Sequence, residues 1–381
     1  MFSPFCPVDV RVLNKTEGML AVRDMLRDQK HHLLALIPRQ LCGPLALSPF
    51  FTALQGDGHA VQLLTDIPSN PSVEELCALL EELRRLDFLP TVILAIGGGS
   101  CMDLAKGISA LMHLPAPSTS TPDGVRTVIR ERAYAIAHPF VDVIAMPTTS
   151  GTGSEVTRWA TIWDSDRRQK LSIDCPACFA KAAVLIPEWT AGMSPALTLS
   201  TGLDALCHAA EAFWSVRRTP LAQALAFTAI QKVRDYLPQA LQYPASLSIR
   251  REMSLASLLA GLAFSQTRTT ACHSISYPLT MLYGIPHGFA AALTLDAVMR
   301  RNAKAVPDME TISGVFDEDE GLAAWLESVC EGVQPLCLSA FGVKEEELET
   351  IAALTFTAGR MDNNPIVFSR DEVLEILREC L

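Results

Sequence analysis

The sequence has no basic surplus: 31 Lys and Arg stand against 42 Asp and Glu, a formal net charge of −11 over 381 residues. That balance argues against nucleic acid or an anionic membrane surface as the principal partner, since both are held by clustered positive charge. Nor is there an apolar run of the roughly 18–20 residues that a membrane-spanning helix needs. The first residues, Met1-Phe-Ser-Pro-Phe-Cys-Pro7, lack the basic segment and apolar core of a secretory signal, which points to the cytoplasm. Eleven cysteines lie scattered without a paired framework, an odd number that suits a reducing compartment. Cys175-x-x-Cys178 has no second pair and no histidine at finger spacing, so a structural zinc is not expected there. No fixed period repeats, and neither GxGxxG nor a Walker sequence is present.

What is there is a globular chain, 49% hydrophobic and only 19% charged, long enough for two cores. Its first half alternates. Short, largely apolar runs at 33–37, 60–64, 91–96 and 141–146 read as strands buried on both faces, the signature of a parallel sheet. Helical patterns separate them: 18–29, a helix capped by Ser72 and reaching about Asp87, and another from Met102. The stretch Pro115–Pro122, rich in Pro, Ser and Thr, reads as an exposed loop. After about Pro187 the β-branched runs stop and helices take over, at 200–216, 219–237, 248–264, 288–303, 321–330, 345–357 and 370–379. Ser194-Pro195 offers a cap with proline at the first helical position. The chain therefore divides into an α/β part with helices on both faces of a parallel sheet, residues 1–188, and an all-α part, residues 189–381.

Two stretches carry chemistry. Gly97-Gly98-Gly99-Ser100 follows a strand and opens a helix bearing Asp103 and Lys106. Glycines there let the backbone approach a pyrophosphate, and the helix N-terminus offers unpaired N–H groups to its charge. Thr148, Thr149, Thr152 and Ser154, after the fourth strand, would add hydroxyl and N–H groups at the same carboxyl edge. A tight turn with no ligand would also explain the glycines taken alone. The second stretch, 202–288, holds three of the eight histidines. Asp204 and His208 are four apart and share a helix face, while His273 and His287 come from further elements. One carboxylate and three imidazoles suit Fe2+ or Zn2+. Each histidine alone could equally be an ordinary core or surface residue.

Four motifs in order, Gly97–Lys106, Pro147–Thr157, Gly202-x-Asp204-Ala-x-x-His208-Ala-x-Glu211 and Pro286-His287-Gly288, resemble the iron-containing (group III) alcohol dehydrogenases over nearly the whole chain, from Pro68 to Pro365. The resemblance implies a dehydroquinate synthase-like fold, with a dinucleotide-binding α/β domain, a helical metal-binding domain and the metal in the cleft between them. It implies Asp204, His208, His273 and His287 as metal ligands. Gly97, Gly98, Gly99, Ser100, Asp103, Thr148, Thr149 and Thr152 would line the dinucleotide site, with Lys170 near the cofactor ribose. Two departures from the family pattern matter. Tyr277 stands where members often carry a second histidine, and can still relay a proton. At the end of the first expected strand, Ile37-Pro38-Arg39-Gln40 has no carboxylate for the ribose hydroxyls, so Arg39 favours NADPH over NADH.

The implied reaction is metal-dependent hydride transfer between NAD(P)H and a small carbonyl compound. Arg158, Thr157 and Arg268 are the candidate substrate contacts, and an arginine facing a site needs an anion or an acidic neighbour. Residues 268–279 look similar to the phosphonoacetaldehyde reductase branch, which makes 2-hydroxyethylphosphonate in phosphonate biosynthesis. A small aldehyde or keto acid bearing a phosphonate is therefore the expected substrate. Sulfonate- or carboxylate-bearing aldehydes, short neutral alcohols, a dehydroquinate synthase-type lyase reaction and a sensor without turnover are the alternatives. A homodimer is compatible with such a chain.

Overall fold

The computed structural model describes residues 5–86, 88–136, 138–167, 169–356 and 359–381; the expected helix ends at Asp87 and Thr357 lie outside them. The chain divides into two compact units. Met1–Thr149 with Ser154–Thr190 form the first, and Ser150–Gly153 with Ala191–Leu381 the second.

The first unit is built on eight strands: β1 (Asp9–Val12), β2 (His32–Leu36), β3 (Ala60–Leu64), β4 (Val92–Gly97), β5 (Asp142–Pro147), β6 (Trp159–Asp164), β7 (Gln169–Asp174) and β8 (Ala182–Leu185). Six pair in parallel in the order β1-β8-β5-β4-β2-β3, and β6 and β7 form a separate antiparallel ribbon. The apolar run of β2 is two-sided, as a covered strand requires. Leu33, Ala35 and Ile37 pack with Val22, Leu26, Phe50 and Leu54 on one face. Leu34 and Leu36 pack with Leu76, Leu80, Leu104, Ile108 and Val125 on the other. Each fully buried Leu or Ile contributes about 1.5–3 kcal/mol, so the alternation fixes which face each helix covers.

Local signals position the helices. Ser72 caps Val73–Arg85 in a reciprocal capping box with Glu75. Pro115–Pro122 is not an open loop. Ala116–Thr119 is a short helix, Thr119 is buried and receives Arg84 at 2.7 Å, and Thr121 caps the helix Pro122–Arg130. Threonines and prolines there serve as helix starts, which the composition alone does not distinguish from loop chemistry.

Beyond Pro195 the described residues of the second unit form helices joined by turns and loops, with no strand among them. Its central helix, Pro195–Trp214, is capped by Ser194 and almost wholly buried, and it packs against Pro220–Gln242, Leu247–Thr267 and His287–Ala292. Helix Ala271–Tyr283 contains Pro278 and does not stand out in the sequence pattern. The expected helix 288–303 is two, His287–Ala292 and Leu295–Asn302. No helix among the described residues is long and apolar enough to cross a membrane.

Candidate functional site

In the second unit, Asp204, His208 and Glu211 occupy positions i, i+4 and i+7 of the central helix and so share one face. Helix Ala271–Tyr283 brings His273 in its first turn and Tyr277 one turn later; His287 opens the next helix after Pro286. That helix reaches the central one closely. A Cβ on Gly288 would lie 1.8 Å from the carbonyl oxygen of Ser200, so only glycine lets His287 sit where it does.

Asp204, His208 and His273 are each at most 5% exposed, and one ligand atom from each lies within 4.8 Å of the other two. Asp204 Oδ1 stands 3.4 Å from His273 Nε2 and 3.8 Å from His208 Nδ1. None of these three buried atoms has a hydrogen-bond partner among the described residues. Buried polar atoms are almost always satisfied, so three that converge without one are the arrangement a cation would complete. The His287 ring meets that of His273 edge-on at 5.2 Å, and His208 is stacked between His273 and Phe264. The electrostatics agree. Burial pushes the His208 imidazole down to about 4, keeping its lone pair. Burial opposes ionisation of Asp204, but the three imidazoles outweigh it and hold the carboxyl well below its usual range.

Glu211 lies behind this cluster, completely buried. Its Oε2 accepts the Nδ1 proton of His273, while Oε1 accepts from the backbone N–H of Thr270 at 3.0 Å and of His273 at 3.3 Å. The Thr270 hydroxyl also donates to Oε1 at 2.8 Å and accepts from Trp214 Nε1 at 2.9 Å. Burial opposes the charge on Glu211 too, and His273 and these donors hold its carboxyl low. Committing Nδ1–H of His273 to Glu211 leaves Nε2 to face Asp204. The motif quoted from the sequence includes Glu211, but nothing in a linear pattern says that it reaches a residue 62 positions away.

The Tyr277 ring lies parallel to that of His287 at 6.1 Å, and its hydroxyl accepts from Arg360 Nε at 3.3 Å. Arg268 ends helix Leu247–Thr267 with φ 65° and ψ 171°. Arg360 was not among the residues expected from the sequence, where it sits in an unpatterned Gly-Arg-Met-Asp stretch.

In the first unit, β4 ends at Gly97, Gly98 takes the N-cap position, and helix Gly99–Leu111 starts without a side-chain cap. Its first N–H groups therefore keep their capacity for an anion. Thr148 N–H donates to Gly97 O at 3.0 Å, tying the ends of β4 and β5 together, and Ser100 Oγ accepts from Asn70 N–H at 3.0 Å. Arg39 is exposed at the end of β2, one strand over. Asp103, Lys106 and Arg158 make contacts within the first unit. Asp103 accepts from the Ser154 hydroxyl at 3.1 Å and from Thr161 N–H at 3.0 Å. Lys106 is fully buried and donates to Ser154 O and Oγ, Thr157 Oγ1 and Trp159 O. Arg158 Nε stands 2.8 Å from Asp174 Oδ1. Lys170 pairs with Trp163 in the β6–β7 ribbon, and Thr152 belongs to the 150–153 segment of the second unit.

A parallel sheet with an uncapped glycine turn, and a helical unit with a carboxylate–imidazole cluster, define a class of metal- and nucleotide-using enzymes. Residues 14–187 match the iron-containing alcohol dehydrogenase family and residues 198–381 match its C-terminal part, and the chain belongs to that family. It is an oxidoreductase of a family that binds a metal and NAD(P). It is 38% identical to the phosphonoacetaldehyde reductase of Streptomyces viridochromogenes over 308 residues, 74% of each chain. The sulfoacetaldehyde reductase of Bilophila wadsworthia is 30% identical over 344 residues, 86% of each chain. Among solved structures, sulfoacetaldehyde reductase from Bifidobacterium kashiwanohense in complex with NAD+ superposes with a TM-score of 0.83 at 27% identity, covering 100% of this chain and 98% of its own.

Proposed function

We propose that this enzyme reduces a small aldehyde carrying an acidic group, phosphonoacetaldehyde above others, to the corresponding alcohol with NADPH. The first unit is the dinucleotide-binding domain and the second the metal-binding domain in this reading. The observation that carries it is the convergence, in a buried site, of Asp204 Oδ1, His208 Nδ1 and His273 Nε2, none of which has a hydrogen-bond partner among the described residues. Arg268, beside that cluster's own helix start, and the names of the relatives support the acidic group.

Asp204, His208, His273 and His287 would hold one divalent ion, and both Fe2+ and Zn2+ accept such a donor set. When bound, the ion supplies Lewis acidity toward the substrate carbonyl. The chain does the rest. Glu211 sets the tautomer and ring orientation of His273. Gly97, Gly98, Gly99 and Ser100, with Thr148 and Thr149, would bind the pyrophosphate through N–H and hydroxyl groups, and Lys170 would serve the ribose side. Arg39 accepts the 2′-phosphate. When bound, the nicotinamide would supply the hydride for the carbonyl carbon, and the chain would have to bring one proton to the carbonyl oxygen. Tyr277 would relay that proton, and the position of its ring alongside that of His287 supports this role.

Steady-state comparison of phosphonoacetaldehyde, sulfoacetaldehyde and propanal with NADPH tests the reading. A higher kcat/KM for the phosphonate supports it, a higher value for sulfoacetaldehyde changes the acidic group, and a preference for propanal refutes it.

A further inference from the structure

Arg268 and Arg360 come from distant parts of the second unit and meet at one place. Arg268 follows the last turn of helix Leu247–Thr267; Arg360 precedes the short turn Met361–Asn363. A Cβ built on Gly359 would lie 3.0 Å from Arg268 Nη1, so the two loops close at that glycine. Arg360 Nε is bound to the Tyr277 hydroxyl, whose ring stacks on His287. Both guanidinium groups thus border the flank of the histidine cluster on which Tyr277 stands.

Their meeting is built rather than incidental. Asn363 is buried, and its Nδ2 donates to Thr267 O at 2.8 Å and to Thr269 O at 3.0 Å, the carbonyls on either side of Arg268. Its Oδ1 accepts from Ser215 Oγ at 3.2 Å, and its carbonyl accepts from Val216 N–H at 3.1 Å. One buried amide therefore locks the turn carrying Arg360 to the turn carrying Arg268, and both to the end of the central helix. Arg268 itself holds φ 65° and ψ 171°, a region that residues other than glycine almost never adopt. A side chain kept at that backbone position, against a cost of about 1–3 kcal/mol, marks a site where its direction matters.

We infer that Arg268 and Arg360 form a two-arginine clamp for a doubly charged tetrahedral acid group on the substrate, with Arg360 as the residue that separates a dianion from a monoanion. The inference rests on the anionic-aldehyde reading above and adds a second cation to it. Two planar guanidinium groups offer paired donors to three phosphonate oxygens and match its second charge; a sulfonate or carboxylate has one charge to give. Arg360 makes no ion pair among the described residues, and its hydrogen bonds go to Tyr277 and to the Gly359 carbonyl at 2.9 Å.

The test is a ratio. The kcat/KM values of metal-replete wild type, Arg360→Gln and Arg360→Lys are measured with NADPH on phosphonoacetaldehyde, sulfoacetaldehyde and propanal. Arg360→Gln is expected to lower the phosphonoacetaldehyde-to-propanal ratio by about 10–100-fold, mostly through KM, and the sulfoacetaldehyde-to-propanal ratio by much less. Arg360→Lys, which keeps the charge but loses the planar fork, falls between. If both ratios stay at the wild-type values while all three rates fall together, Arg360 is structural and the clamp is overturned. If wild type itself prefers propanal, the anionic reading fails first and takes the clamp with it. Should Arg360→Gln not fold, the same ratios from Arg360→Lys decide.

Discussion

Glu211 and His273 are joined twice, through the ring Nδ1–H and through the backbone N–H of the histidine, with the carboxylate wholly buried. The pair fixes a ring that supplies Nε2 to a cluster of atoms with no hydrogen-bond partner among the described residues. An amide in place of the carboxylate keeps the volume but cannot accept with both ends. Glu211→Gln is therefore expected to weaken metal binding by about 10–100-fold. Competition with a chelator reads this directly, without turnover. Unchanged affinity in a variant that melts like wild type would show that Glu211 only holds Thr270 in place.

Tyr277→Phe removes one hydroxyl and the acceptor of Arg360 Nε while leaving the ring against His287. Bound metal should stay at wild-type stoichiometry, and kcat should fall by about 10-fold or more, within the range of a lost proton relay. A variant with full kcat would make Tyr277 a packing residue.

Gly288→Ala tests the geometry that seats His287. The new Cβ would stand 1.8 Å from Ser200 O, a backbone atom on a buried helix that cannot yield cheaply. Destabilisation of about 2–4 kcal/mol is expected, with His287 displaced and metal content reduced. A melting temperature within a degree or two of wild type would mean that the two helices part without cost.

How far the sequence carried the account depended on whether an interaction is local. Strands β2, β4 and β5 were legible because both faces of each are covered, which makes a nearly unbroken apolar run, while β3, at the sheet edge and only partly buried, still carries four apolar residues in five. β1 and β8 are four residues each, and the β6–β7 ribbon carries Asp, Lys and Ser, so neither showed that signal. Helix Ala271–Tyr283 was hidden by Pro278 and by a composition of Ser, Thr and Cys. In the site, Asp204 and His208 could be paired from helical spacing alone. Glu211 behind His273, and Asn363 between the carbonyls flanking Arg268, span 62 and 94 or more positions and leave no periodic trace. Segment Ser150–Gly153 groups with the helical unit although it continues directly from β5, and no composition shift marks it.

The central claim is a metal-dependent reduction, and the most direct measurement is NADPH consumption with phosphonoacetaldehyde by protein stripped with a chelator, before and after one equivalent of Fe2+ or Zn2+ per chain. The account predicts that stripped protein keeps its fold and its NADPH binding but loses turnover, and that one of the two ions restores it. Full turnover by the metal-free protein would contradict it.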